Sequence, residues 1–311
     1  MIELIKPYES ILDSTRIISR ANENSLFSGI DSPEEIPIYD FRKKTHFKNY
    51  PHQIEYQYNS RGFRDQEWPN SLDELQNSIW CLGDSFTAGV GLPFTHTWPQ
   101  LLQQITNLRT INVSLDGASN NWIARHARAI IDEINPKNLI VQWSFSRRRE
   151  AHINVALDPI WKKYYKNVKQ SSWPPCESFD LFTTLPINVQ NDMRNDPNFY
   201  SWHKGFDLDS PRRLHKGFDL YSTRRLHRVQ STSEENIANT QMAIDLICPN
   251  SNTNVIHTFV PNWHDDDNYQ LNFHGYPVIR NFPVVDLGRD HHHYDIKTAT
   301  NLVNQLVSLL C

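Results

Sequence analysis

Long apolar runs are missing from this sequence. Nowhere do hydrophobic residues continue for the roughly 18 positions that a helix needs to cross a bilayer. No membrane-spanning helix is therefore expected. The first residues, Met1-Ile-Glu-Leu-Ile-Lys6, have neither the basic start nor the apolar stretch of a secretory leader. The expectation is a cytoplasmic chain, or one released without a recognisable signal peptide.

Cysteine is scarce. Cys81, Cys176, Cys248 and Cys311 form no Cys-x-x-Cys spacing, so neither a disulfide framework nor a zinc site is expected. Cys81 and Cys248 stand in apolar runs and read as small buried hydrophobes. Positive charge is not in excess either. Lys plus Arg is 31 against 35 for Asp plus Glu, a net charge of -4. That balance excludes a general attraction to nucleic acid or to anionic membranes. His264-Asp265-Asp266-Asp267 and the run His291-His292-His293 invite a metal. Adjacent Asp side chains point apart, however, and no His-x-x-x-His stands in a helical setting. No metal and no cofactor are expected.

What is present supports a packed core. Hydrophobic residues are 39% and aromatics 12% of 311 positions, enough for one large α/β domain, or for one domain with a sizeable insertion. Regular patterning begins near Ser78. Ile79-Trp-Cys-Leu82 is a short apolar run ending in Gly83-Asp84-Ser85, as a strand buried on both faces would be. A helix is expected over about 97–105, then a strand over Thr110–Leu115. From Ser119 to Ile134, Ile123, Ala127, Ile130, Ile131 and Ile134 share one helical face. Asn138–Trp143 is a third strand. A capping-box spacing at Ser231–Glu234 opens a helix to about Ile247. Strands follow at Asn254–Val260 and Pro283–Leu287, and a last helix spans about Asp295–Leu309. Alternating strands and helices predict a parallel sheet of about five strands covered on both faces. Before it, residues 1–77 are weakly periodic. Ile36–Tyr39 and Ile54–Tyr58 read as edge strands and Arg61-Gly62-Phe63 as a turn. This stretch is taken as an N-terminal extension wrapping the main domain. Residues 150–230, rich in Trp, Tyr and Pro, break the pattern and read as an insertion. His203-Lys-Gly-Phe-Asp-Leu recurs at His215, and Arg212-Arg-Leu recurs at Arg224. Two copies are too few for a solenoid, so the insertion is either a duplicated surface loop or a lid.

In parallel sheets, ligands bind beyond the carboxyl ends of the strands, so chemistry belongs at strand ends. Ser85 stands there after the first buried strand, where a helix N-terminus favours an oxyanion. A serine hydroxyl needs a neighbouring base to act as a nucleophile; without one it is a helix cap. Asp290-His291-His292-His293 lies before the last helix. Asp and His three apart would meet on one face of a helical turn, the carboxylate holding one imidazole nitrogen and presenting the other. His291 and His292 are either exposed or line the cleft. Gly117 follows the second strand, where a glycine either lets a backbone N–H approach a substrate or is an ordinary turn residue.

Together these pieces resemble the SGNH/GDSL hydrolase superfamily. Gly83-Asp-Ser85-Phe-Thr-Ala-Gly is similar to its first block, Gly117 to the glycine of its second, and Asp290-x-x-His293 to its last. The resemblance covers 78–149 and 231–311. It implies a three-layer α/β/α flavodoxin-like sandwich and an ester hydrolase. It implies Ser85 as nucleophile, His293 as general base, Asp290 as its orienter, and the N–H groups of Ser85 and Gly117 as the oxyanion hole. The family's third block is Gly-x-Asn-Asp, but here Trp143-Ser-Phe-Ser stands in its place and Phe145 replaces the Asn. Losing one oxyanion donor costs about 3 kcal/mol. Ser144, Ser146, Asn120 or Asn121 could substitute; otherwise the enzyme is slow, or the chain is a glycan-binding or structural module on the same scaffold. Arg147, Arg148 and Arg149 would stand near the cleft, either recognising an anionic group of the substrate or lying solvated. The implied partner is a small-molecule or glycan ester carrying a short acyl group. A nucleotide-binding reading ranks last, because no Gly-rich phosphate loop follows the first strand.

Overall fold

The computed structural model describes residues 20–28, 31–33, 36, 40–146, 233–247, 252–261 and 271–310. The proposed insertion and its repeat, Arg147, Arg148, Arg149, His264–Asp267, Cys176, Cys248 and Cys311 lie outside the described residues. So do most of Ile36–Tyr39 and the start of the capping box at Ser231.

Two short strands, β1 (Asn24–Ser25) and β2 (Tyr56–Gln57), pair antiparallel, with α1 (Phe41–Asn49) between them and α2 (Leu72–Asn77) after them. The main sheet is built from β3 (Ile79–Gly83), β4 (Thr110–Ser114), β5 (Asn138–Trp143), β6 (Asn254–Phe259) and β7 (Val278–Ile279). Their order is β4-β3-β5-β6-β7, every pairing parallel. Interleaved are α3 (Ser85–Ala88), α4 (Trp98–Thr106), α5 (Asn120–Glu133), α6 (Ser233–Ile247) and α7 (Ile296–Val307). Helix α4 packs with α7, and α5 with α6. The fold is an α/β sandwich with helices on both faces of a five-strand parallel sheet.

The sheet is central because its strands are apolar on both faces. Every residue of β3 and β4 is buried, as is all of β5 and β6 after the first residue. The amphipathic helices bury one stripe each: Ile123, Ala127, Ile130 and Ile131 in α5, and Ala299, Leu302, Val303 and Leu306 in α7. Ser119 caps α5 by accepting the Trp122 N–H at 3.2 Å.

One expected strand is absent. Residues 283–287 do not join the sheet; the fifth strand is the shorter β7, earlier in the chain. The reason is where the amides go. The N–H groups of Val285 and Asp286 are taken by the Thr298 hydroxyl of α7, at 2.9 and 3.3 Å. Val285 itself is 56% exposed. This segment runs along α7, and only Leu287 makes an isolated bridge, to Tyr294.

Chain order around the sheet reverses between β3 and β5. The crevice outside the carboxyl ends of these two strands is the topological switch point, where open α/β sheets bind ligands.

Candidate active site

Ser85 opens α3 directly after β3, so it stands at that switch point. Asp84 fixes the entry. One of its carboxylate oxygens caps the helix by accepting the Phe86 N–H at 3.0 Å. The other accepts the Ser144 hydroxyl at 2.7 Å, tying the end of β3 to the end of β5. Beneath them, buried Gln142 of β5 accepts from Thr87 Oγ1 at 2.8 Å and donates to the Tyr294 hydroxyl at 3.3 Å. A short, rigid helix therefore carries Ser85. As the first residue of that helix, its N–H is not needed by the intrahelical ladder.

Asp290 and His293 meet, though not on a helical turn. The segment is a tight turn with His291 at φ 56°. Asp290 Oδ1 accepts the backbone N–H groups of His292 and His293 at 3.0 and 3.1 Å. Its Oδ2 accepts His293 Nδ1 at 2.5 Å. Both side chains are buried. The turn rather than a helix is dictated by the side chain, because an Asp that bonds its own backbone two residues on replaces the helical ladder.

Burial by itself would raise the Asp290 carboxyl. The charge of His293 and the hydrogen bonds from its ring and backbone outweigh that and hold the carboxyl at about 2. Burial likewise pushes the His293 imidazole down. The Asp290 charge and hydrogen bond oppose this, Asp116 and Asp84 add to them, and the net shift is upward. An ionised carboxylate only accepts, so the ring proton is on Nδ1 and Nε2 is left as the acceptor. His293 Nε2 is buried without a hydrogen-bond partner. No hydrogen bond joins it to Ser85 in this conformation. The ring of Phe86, which follows Ser85 in the chain, lies 4.4 Å from the His293 ring.

Gly117, on the loop after β4, adopts φ 83°, a conformation open to glycine and strained for other residues. Asp116 beside it reaches His293 electrostatically. The ends of β3 and β4 and the turn before α7 thus converge. Two of the other oxyanion candidates are engaged with buried partners. The Ser144 hydroxyl is given to Asp84. Asn120 accepts the Ser144 N–H at 2.8 Å and donates to Thr240 at 3.3 Å. Ser146 is buried and Asn121 partly exposed. Phe145 packs against the core with its ring 6.2 Å from that of Phe86. Of the other histidines, His292 is exposed. His291 lines an open groove of about 620 Å³ with Phe41, Arg42, His46 and Tyr50. Ser85, Gly117 and His293 are not among its lining residues.

Sequence reasoning missed the support behind the pair. Arg64 is buried, and its guanidinium donates to the carbonyls of Ala88 at 3.1 Å, of Leu92 at 2.7 Å, and of Gly89, fixing the loop after α3. That loop presents Gly91 to Asp290. A Cβ at Gly91, whose φ is +79°, would lie 2.7 Å from Asp290 Oδ1. On the far side, His46 Nε2 donates to the Gly288 carbonyl at 2.7 Å. The only sequence signal nearby was the turn at Gly62.

No family model matches this chain, and no curated protein does. Among solved structures it is similar to the psychrotrophic esterase EstA from Pseudoalteromonas sp., in a form inhibited by monoethylphosphonate. The TM-score is 0.34 and the identity 12%, over 75% of this chain and 96% of that one. At that TM-score the two chains share too little geometry for residues to be carried from one to the other.

Proposed function

We propose that this chain is a serine ester hydrolase of the SGNH type. Ser85 Oγ attacks the ester carbonyl carbon and its proton passes to His293 Nε2. The N–H groups of Ser85 and Gly117 hold the oxyanion. As the intermediate collapses, the alcohol leaves with the proton from His293. Water, deprotonated by the same nitrogen, then attacks the acyl-enzyme, releasing the acid and restoring Ser85. Asp290 stabilises the imidazolium throughout. The observation that carries this reading is the buried His293, with Nδ1 committed to Asp290 and Nε2 unspent beside the helix that begins with Ser85. A nucleophile–base hydrogen bond is often formed only once substrate is bound.

The substrate is an acetyl or other short acyl ester, carried on a carbohydrate alcohol. Phe86, with Phe145 and His292 around it at 6.2 and 5.8 Å between ring centres, crowds the approach to His293 and suits a small acyl group. Hydrolysis of an aryl acetate tests the assignment. Ser85→Ala and His293→Ala should abolish turnover above background, and Asp290→Asn should lower kcat on the order of 10³–10⁴-fold. Full activity in Ser85→Ala would reject it.

One observation favours a second reading, a weak or inactive glycan-binding or structural module. Phe145 stands where the family has its oxyanion Asn, and the neighbouring Ser144 hydroxyl is given to Asp84. Binding of an acetylated glycan without release of acetate, measured by calorimetry, would establish that reading instead.

A further inference from the structure

We infer that Asp31 is a positioning residue for the Asp290–His293 pair, acting on the turn that carries the pair through Arg289 and Tyr56. The inference rests on the function proposed above and extends it to a part of the chain that the family resemblance does not cover.

Asp31 is fully buried. Its carboxylate takes a two-pronged bond from Arg289, Nε to Oδ1 at 2.9 Å and Nη2 to Oδ2 at 2.6 Å. Arg289 immediately precedes Asp290 in the chain. The same guanidinium donates to the Leu26 carbonyl at 2.7 Å and lies over the rings of Phe27 and Phe47, about 5 Å from each centre. A planar fork held on a carboxylate and between aromatic faces has little freedom to move. The second arm is the Tyr56 hydroxyl. It donates to Asp31 and accepts the Gly91 N–H at 2.8 Å. The Gly91 carbonyl in turn accepts the Arg289 N–H at 2.8 Å. Gly91 is the residue against which the Asp290 carboxylate packs.

The circuit is closed: Asp31 holds the Arg289 side chain, Asp31 holds the Tyr56 hydroxyl, Tyr56 holds Gly91, and Gly91 bonds Arg289 and abuts Asp290. The backbone that leads into Asp290 and the Gly91 against which its carboxylate packs are therefore both referred to one buried group 258 residues away from Arg289 in sequence. A 2.5 Å hydrogen bond between Asp290 and His293 is steeply sensitive to small displacements of the turn or of Gly91. Misplacement by about 1 Å costs roughly a hundredfold in rate.

The direct test is the far-downfield imidazole N–H resonance of His293 in the full-length, histidine-labelled protein. It reports the bond to Asp290 whether or not any ester is turned over. Three variants are compared with wild type. Tyr56→Phe removes only the bridging hydroxyl, Asp31→Asn removes the charge, and Ser71→Ala removes the hydroxyl that caps α2 by accepting the Glu74 N–H at 3.2 Å, away from the circuit. The inference predicts a resonance in wild type and Ser71→Ala that moves upfield or is lost in Tyr56→Phe and Asp31→Asn. In those two variants kcat for an aryl acetate falls about tenfold to a hundredfold while KM changes less than about twofold. If Asp31→Asn does not fold, Tyr56→Phe alone decides. The inference is overturned by a wild type without the resonance, by variants that keep it unmoved, or by Ser71→Ala losing it equally. A resonance that behaves as predicted in a protein that never cleaves an ester leaves the positioning role standing and sinks the esterase.

Discussion

His293 is subject to opposing forces, and their balance sets the pH dependence of the proposed reaction. Burial favours the neutral ring, while Asp290, with help from Asp116 and Asp84, favours the imidazolium and prevails. A general base must be neutral to act. Activity should therefore be low while His293 is protonated and should rise as pH passes its folded pKa, which lies above the ordinary histidine value of about 6.5. The kcat/KM profile should show an acid limb with a midpoint above that value. Asp290→Asn should shift the midpoint down as well as lowering the plateau. An acid limb unmoved by that substitution would mean that another group titrates.

At the scale of elements, what was legible in the sequence was what burial on two faces forces. Strands β3, β4, β5 and β6 read as apolar runs because helices cover both sides of the sheet. α5 and α7 read from their stripes because each has one buried face. The elements that escaped lack that imprint. Helix α1 buries none of its residues, and its sequence Phe-Arg-Lys-Lys-Thr-His-Phe-Lys-Asn shows no apolar stripe; its place is held by capping at Asp40 and by His46 on Gly288. Strand β7 has two residues, too few to show a period. The segment at 283–287 looked like a strand because Pro283-Val-Val-Asp-Leu is apolar and β-branched, yet its amides satisfy Thr298. Ser85, Asp290, His293 and Gly117 were legible because each sits at an element boundary with a turn signal. Asp31, Tyr56, Arg64 and Arg289 were not, because contacts between residues so distant in sequence leave no spacing to read.

Across the whole molecule, among the described residues, His257 and Asp290 couple the fold to pH in one direction, while His293 and Asp65, whose carboxyl burial pushes up to about 7, oppose them. His257 of β6 is stacked on Trp143 and accepts its indole N–H at 3.1 Å. Burial, with the nearby charge of His274, pushes its pKa down to about 3. The unfolded chain takes up that proton near pH 6.5 and the folded chain does not, so stability falls as pH drops from 6.5 to about 3. The loss is about 1.4 kcal/mol for each pH unit. Asp290 adds stability above its unfolded pKa of about 3.8 that is lost as pH falls through its folded value of about 2. His293 works the other way. Its raised pKa contributes stability that is full below about 6.5 and is lost as pH rises through the folded value. His257→Gln keeps an acceptor for Trp143 and removes the titration. Its melting temperature should depend less on pH between 6 and 3 than that of wild type, and parallel curves for the two proteins would contradict this account.

The central claim is that Ser85 is activated by the Asp290–His293 pair, and a serine-directed fluorophosphonate probe tests it most directly. The wild-type protein should form a stable phosphonyl adduct, located at Ser85 by mass spectrometry, and both Ser85→Ala and His293→Ala should fail to label. A folded wild-type protein that never labels, or one that labels at another residue, would contradict the claim.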